Sequence, residues 1–409
     1  MKNILIGIVF LFGTVLGMLA ATQVGEELVY KIPAKYLTFG RPAEIQATSK
    51  ILHGKRPENG KILYITGGSS GFTSGNEHTL SAALTERLGV PVRVYNISSA
   101  SQKMIESFSM IGKMPKATEK GQIYVMTTYG GHRATTVPNA SLSGAFFRTR
   151  ALLRHDELRD LINNHNLLEE PFMSNSGREV TDPKKYMAGL DKEYTSSVGS
   201  HWLKYFIHDK VRRMNRRKIH KSLFTDKDVY PEDDYSERRL NSTARIFANP
   251  NQQKRIEARH TRYSNALKNA IKDLTPEQIQ QRKDFALYSL EKSKELSDTK
   301  NYKFGAIEIP IYSPLFYDPL IYEYRTTFNE QLRALSEEKN FPVFYLDDDI
   351  KDLEAINNWN DSGHMTNVGR HAFEKYYVDA LVKFMSGDEG GVYGNVAIPS
   401  TQNEPVSQD

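Results

Sequence analysis

Cysteine is absent from all 409 residues. That absence excludes a disulfide framework, a thiolate zinc site, an iron–sulfur cluster and a cysteine nucleophile. No internal repeat is present, and no apolar run beyond the N-terminal one is long enough to span a membrane. Neither Gly-Lys-Ser/Thr nor G-x-G-x-x-G follows any strand-like segment, which argues against a phosphate loop. No H-x-x-x-H or carboxylate cluster accompanies the Asp-x-x-His pair near the C-terminus, which argues against a metal role for that pair. A surplus of one charge sign is also nearly missing, with 54 Lys plus Arg against 49 Asp plus Glu, a formal net of +5.

The small basic surplus is local. The stretch 204–221, KYFIHDKVRRMNRRKIHK, carries eight Lys or Arg and one Asp, a net of +7, which leaves 46 basic against 48 acidic residues elsewhere. Such a run is a solvated helix face or an attraction site for an anionic polymer or membrane headgroups. Nucleic acid is not expected as a partner, because no recognised fold for it is present. Charged residues at 25% beside 39% hydrophobic ones describe a globular chain rather than a disordered one. At roughly 150 residues per domain the length allows two or three domains, or one enlarged α/β domain.

The N-terminus is apolar. Lys2 precedes an uncharged run from Ile4 to Ala21, and the first acids are Glu26 and Glu27. That run reads as an uncleaved membrane anchor or as a signal peptide, the second option having only half a small-residue cleavage site at Leu19-Ala20-Ala21-Thr22. Positive charge before it and negative charge after it predict an exported protein, on the periplasmic or extracellular face, held at the cytoplasmic membrane by residues 4–21. Oxidising compartments permit disulfides without requiring them, so a cysteine-free envelope protein is consistent.

Segment boundaries follow from composition and periodicity. Residues 1–22 form the signal or anchor, and 23–60, with Pro33, Pro42 and Pro57, form a stalk leading into the domain. Residues 61–140 alternate strand and helix: KILYIT (61–66), a helix over 78–89, VRVYNI (92–97), a helix over 102–114, and QIYVMTT (122–128). Residues 141–300 are polar, helix-prone and partly basic, and read as an insertion. Alternation resumes over 301–386 with FGAIEIPIY (304–312), a helix over 320–339, VFYL (343–346) and a helix over 367–385. Residues 387–409 read as a disordered tail. This is the α/β pattern of a parallel sheet covered by helices.

Two places carry chemistry. Ser69 and Ser70 lie in the glycine-rich Gly67-Gly68-Ser69-Ser70-Gly71 directly after the first strand. Asp361 and His364 lie in Asp-Ser-Gly-His directly before the last helix. In an open α/β sheet both fall at the carboxyl edge, where ligands bind. A hydroxyl becomes a nucleophile when a base takes its proton and a third group fixes the base's tautomer, and Ser69, His364 and Asp361 supply those types. The plainer alternatives are a tight structural turn at 67–71, an Asp361 that caps the last helix beside a surface histidine, and Ser70 in place of Ser69.

Gly67-Gly68-Ser69 after a strand, Asn96 after the second strand and Asp361-Ser362-Gly363-His364 before the last helix resemble the SGNH/GDSL superfamily of serine esterases and acyltransferases. The Leu88-Gly89-Val90-Pro91-Val92 strand approach is similar to its extracytoplasmic, membrane-anchored branch, which includes proteins of teichoic acid D-alanylation and exopolysaccharide O-acetylation. The resemblance covers about residues 61–135 and 303–385. It implies a flavodoxin-like three-layer fold with a large helical insertion, and catalysis by Ser69 as nucleophile, His364 as base and Asp361 as its orienter. It also implies oxyanion or substrate contacts from Asn96 and Ser98 in the second block. The third block departs from the family's Gly-x-Asn and reads Thr127-Thr128-Tyr129-Gly130-Gly131-His132-Arg133, so Gly130, Gly131, Tyr129 and His132 are its candidate donors. No metal or organic cofactor is implied. The implied partners are an acylated glycan or cell-envelope polymer and a membrane-bound acyl donor complex. The competing expectation is a catalytically weak member that binds a glycan or an assembly partner.

Overall fold

The computed structural model describes residues 54–98, 104–130, 249–312, 318–345 and 353–387, with short stretches elsewhere such as 50–51 and 392–393. The apolar run 4–21, apart from Gly13 and Thr14, lies outside the described residues, as do most of the stalk and the basic stretch 204–221. Among the described residues no helix is long and apolar enough to cross a membrane.

Five strands form an all-parallel sheet: β1 (Lys61–Gly67), β2 (Val92–Asn96), β3 (Ile123–Tyr129), β4 (Lys303–Glu308) and β5 (Val343–Tyr345). Their order is β2-β1-β3-β4-β5. Within the tail, Val392–Tyr393 adds a two-residue parallel pairing beside β5. The strands are buried on both faces, as the near-continuous apolar runs require. Their period-2 side chains then divide between two cores. Ile62, Tyr64, Val125, Phe304, Ala306 and Val343 pack on one side. Leu63, Ile65, Val94, Met126, Ile307 and Phe344 pack on the other.

Helices cover both faces, giving a three-layer α/β domain. On the first face lie α3 (Met104–Lys113), α5 (Pro276–Thr299) and α6 (Pro319–Lys339), through Met110 and Ile111, Ala286 and Leu290, and Phe328 and Leu332. On the second lie α2 (Glu77–Leu88) and α7 (Asn367–Ser386), through Leu80, Leu84, Phe373, Tyr377 and Leu381. Their ends are set locally. Asn76 caps α2 by accepting from the amides of His78 and Thr79, and Gly89 closes it in the left-handed region. Thr275 and Gln278 form a capping box at the start of α5, with Pro276 at its first position. Asp318 and Thr366 cap α6 and α7.

The sequence groups 276–299 with the insertion, but the structure lays α5 against β4 and α3, with Phe285, Ala286 and Leu290 buried. Parallel neighbours β3 and β4 need a crossover, and α5 is the helix that delivers the chain back onto the sheet before β4. The preceding helix α4 (Pro250–Ile271) packs on the segment that carries Asp361.

At the carboxyl end of β4 the Glu308 carboxylate is buried, and Arg325 of α6 pairs with both of its oxygens at 2.8 Å. Asn329 donates to the same carboxylate at 2.8 Å. A buried carboxylate left without its cation is costly, typically about 3–5 kcal/mol. Arg325→Leu should therefore lower stability by about 3–5 kcal/mol in urea unfolding. The Glu308→Leu, Arg325→Leu double variant should recover most of that loss, because it removes the stranded charge.

Candidate active site

The strand order reverses between β1 and β3, which places a crevice beyond their carboxyl ends. β1 ends at Gly67, whose φ of +142° suits only glycine and whose added Cβ would collide with the Thr128 hydroxyl on β3. The Thr128 hydroxyl in turn donates to the Thr66 carbonyl at 3.0 Å. The chain leaves that pinch as a short helix, α1 (Ser69–Ser74), with Gly68 as its N-cap and no side-chain cap. Ser69 is its first residue, half-buried at the mouth of the crevice.

The second half of the site comes from the other end of the chain. Trp359 is buried, and its indole N–H donates to the Leu353 carbonyl at 2.7 Å. It opens a tight antiparallel pairing of β6 (Trp359–Asp361) with β7 (His364–Met365). The Thr366 amide donates to the Asn358 carbonyl at 2.9 Å, and its hydroxyl donates to the Asn357 carbonyl at 2.8 Å. The Tyr312 amide donates to the Ser362 carbonyl at 3.0 Å, tying the turn to the chain beyond β4. These bonds fix the turn that holds Asp361, Ser362, Gly363 and His364.

The three residues then meet in a line. His364 Nε2 lies 2.7 Å from Ser69 Oγ, and His364 Nδ1 lies 2.7 Å from Asp361 Oδ1. The same carboxylate oxygen accepts from the Gly363 amide at 2.9 Å. A carboxylate only accepts, so the proton on Nδ1 faces Asp361 and the Nε2 lone pair faces the serine. The side chains of His364 and Asp361 are 20% and 28% exposed, so a ligand can reach them. The histidine contacts Ser69 rather than Ser70, whose carbonyl accepts from the Thr73 hydroxyl at 3.2 Å.

The expected oxyanion and substrate residues are distributed differently. Asn96 is buried, and its amide donates to the Gly71 and Gly75 carbonyls at 3.1 and 3.4 Å, clamping α1 to β2. Its side-chain oxygen accepts from the Ser98 amide at 3.1 Å, so that N–H is directed inward at Asn96 instead of at the crevice. Ser98 is itself buried. Tyr129 is also buried and packs edge-on against Phe328, with its hydroxyl 3.5 Å from Asn329 Oδ1. Burial, then the neighbouring Tyr345 and Glu308, hold its phenol well above the ordinary value. Gly130 is half-buried directly after β3, while Gly131 and His132 lie outside the described residues.

Two residues of α4 join the site without any signal from a catalytic motif. The buried His260 shares a 3.0 Å hydrogen bond between Nδ1 and Ser362 Oγ, and its ring packs 4.5 Å from that of Tyr312. Tyr263 sits edge-on to His364 at 6.4 Å, and a Cβ added to Gly363 would lie 2.5 Å from its hydroxyl. Ile256, His260, Tyr263, Leu267 and Ile271 recur at helical spacing on α4, and the four other than half-buried Tyr263 are buried. That stripe is the one sign in the sequence that His260 faces inward. No family model and no curated protein matches the sequence.

Gly363→Ala should crowd Tyr263 and cost about 1–3 kcal/mol in unfolding experiments. Adding Tyr263→Phe should restore part of it by removing the atom at 2.5 Å. Burial lowers the pKa of His260 below its ordinary 6.5, against a partial opposing pull from Asp361. Below about pH 6.5 the unfolded chain takes up a proton that the native ring resists, so stability falls with acidification. Unfolding midpoints measured at about pH 7.5 and pH 5 should show a smaller acid loss for His260→Gln than for the wild type.

Proposed function

We propose that the protein is a serine esterase or O-acyltransferase of the SGNH/GDSL type, working through an acyl-Ser69 intermediate. The observation that carries this reading is the unbroken Ser69–His364–Asp361 relay, with both heavy-atom separations at 2.7 Å, joining residues 295 positions apart. A structural turn needs no such relay, and neither does a helix cap, since Thr366 caps α7. The order β2-β1-β3-β4-β5 with helices on both faces supports the flavodoxin-like three-layer arrangement of that superfamily.

The chemistry balances as acyl transfer. Ser69 Oγ attacks the carbonyl carbon of an ester while His364 Nε2 takes the hydroxyl proton, and Asp361 stabilises the resulting imidazolium and keeps its tautomer. The tetrahedral intermediate collapses by breaking the bond to the leaving alcohol, whose oxygen receives the proton from His364. Water or a saccharide hydroxyl then attacks the acyl-serine as His364 takes its proton, and the bond to Ser69 Oγ breaks as that oxygen recovers the proton, giving hydrolysis or transfer with the same protein groups. The amides of Ser69 and Ser70 lie in the first turn of α1, where no carbonyl one turn earlier is available to them, and they are the proposed oxyanion donors together with Gly130. The acyl group is proposed to be acetyl, on an envelope glycan or polymer. The run 4–21 supports an exported protein anchored in the membrane, within reach of an acyl donor complex there.

One observation favours a second reading. With Asn96, Ser98 and Tyr129 drawn into the interior, few oxyanion donors remain, and losing one typically costs ~10²–10³ in rate. A catalytically weak protein that binds a glycan or an assembly partner fits that depletion.

Turnover of a chromogenic acetyl ester by the full chain separates the two. The first reading expects kcat/KM to fall by on the order of 10⁴ in Ser69→Ala and in Asp361→Asn, with unchanged unfolding midpoints. Activity of the wild type that equals that of Ser69→Ala would contradict it and leave the binding reading.

A further inference from the structure

A second feature lies away from the relay, on the outer edge of the sheet. A recess of about 490 Å³ opens beside β2 and is lined by Lys50, Lys55, Arg56, Arg93 and Tyr95 among others. This volume falls within the range of small-molecule sites, roughly 300–1,000 Å³. Arg93 pairs in register with Ile62, five residues before Gly67 on β1, so the recess sits about 16 Å along the strand from the Ser69 end.

The recess is built rather than incidental. The Tyr95 hydroxyl donates to the Lys55 carbonyl at 2.7 Å, fixing the 54–57 segment against β2. The Arg93 guanidinium lies over the Tyr95 ring, 5.6 Å from its centroid. Lys50 pairs with Glu77 at 2.6 Å, and the same Glu77 oxygen accepts from the Asn96 amide. That carboxylate is therefore committed to Lys50 and to the backbone of β2. Lys55, Arg56 and Arg93 remain, all exposed, and no acidic residue is among the described residues that line the recess. The crowding is felt at Lys50, whose pKa is lowered by burial first and, more weakly, by Arg93, against the opposing pull of Glu77.

We propose that this recess binds a small organic anion, a carboxylate or phosphate ester carried on a sugar-sized body. Two guanidinium forks offer the planar, bidentate geometry that matches either group. Pro57 and the little of Tyr95 that is not covered border the recess on its apolar side. The recess is shallow and open to solvent, so a soluble ligand can enter it directly. This site does not depend on the acyl-transfer reading.

Isothermal titration of the full chain with glucuronate, glucose 6-phosphate and glucose tests it. Saturable one-to-one binding of at least one anion, none of glucose, and a roughly ten-fold weakening in the Arg56→Gln, Arg93→Gln double variant are expected. Added salt should weaken the binding as well. Ser69→Ala should bind like the wild type, so failure of the esterase reading leaves this result unaffected. Four outcomes would overturn the proposal: no binding of either anion, glucose binding as tightly as the anions, a double variant that binds like the wild type, or loss of binding in Ser69→Ala alone.

Discussion

All five strands of the sheet run parallel, so each of them ends at the same edge, and the relay depends on that constraint. Ser69 and His364 are 295 residues apart, yet one follows β1 and the other belongs to the turn that feeds α7 onto the same layer. The reversal of strand order between β1 and β3 leaves room there, since neighbouring connections turn to opposite faces. A hydrogen bond of 2.7 Å tolerates little displacement, and both backbones are accordingly pinned. On one side stand the Gly67–Thr128 approach and the Asn96 clamp on α1. On the other stand Trp359 and Thr366, bonded to the 353–358 segment.

The same edge also consumes polar groups for structure. Glu308, Arg325, Asn329, Tyr129 and Tyr345 form a buried network that closes β3, β4 and β5 onto α6. Asn96 and Ser98 close β2 onto α1. Buried polar groups must be paired, and these are. These side chains are therefore unavailable to a ligand, and the proposed acyl transfer is left with the backbone amides of α1 and Gly130 as its oxyanion donors. Behind the relay, His260 and Tyr263 stiffen the Asp361–His364 turn from α4, so a helix outside the sheet's own layers takes part in the site.

Much of this was legible in the sequence. The apolar runs at 61–66, 92–97, 122–128 and 343–346 coincide with strands, and the periodic stretches at 78–89, 102–114, 320–339 and 367–385 coincide with helices to within a few residues. The meeting of Ser69, Asp361 and His364 follows from placing their motifs at strand and helix ends. The direction of Tyr129 was legible too, by parity: it shares the period-2 face of Ile123 and Val125, which points into the α3/α5/α6 core. Asn96 accepting from the amide two residues on is a local turn geometry that its residue type favours. The role of α5 was hidden for a different reason. Its buried face carries Ser289, Ser293 and Ser297, each donating to the carbonyl four residues back, and this dilutes the apolar stripe of Phe285 and Leu290. His260 was hidden because it sits on a largely polar helix and its partner Ser362 lies 102 residues away, in the turn between β6 and β7.

The proposed chemistry stands or falls on activation of the Ser69 hydroxyl by His364. Treatment of the full chain with a fluorophosphonate, followed by peptide mapping by mass spectrometry, tests it most directly, because the reagent needs a base-activated hydroxyl but no natural substrate. A single phosphonate adduct is expected on Ser69, absent from Ser69→Ala and formed far more slowly in His364→Gln. An adduct that persists in Ser69→Ala, one that maps to Ser70, or a wild type left unlabelled would contradict it.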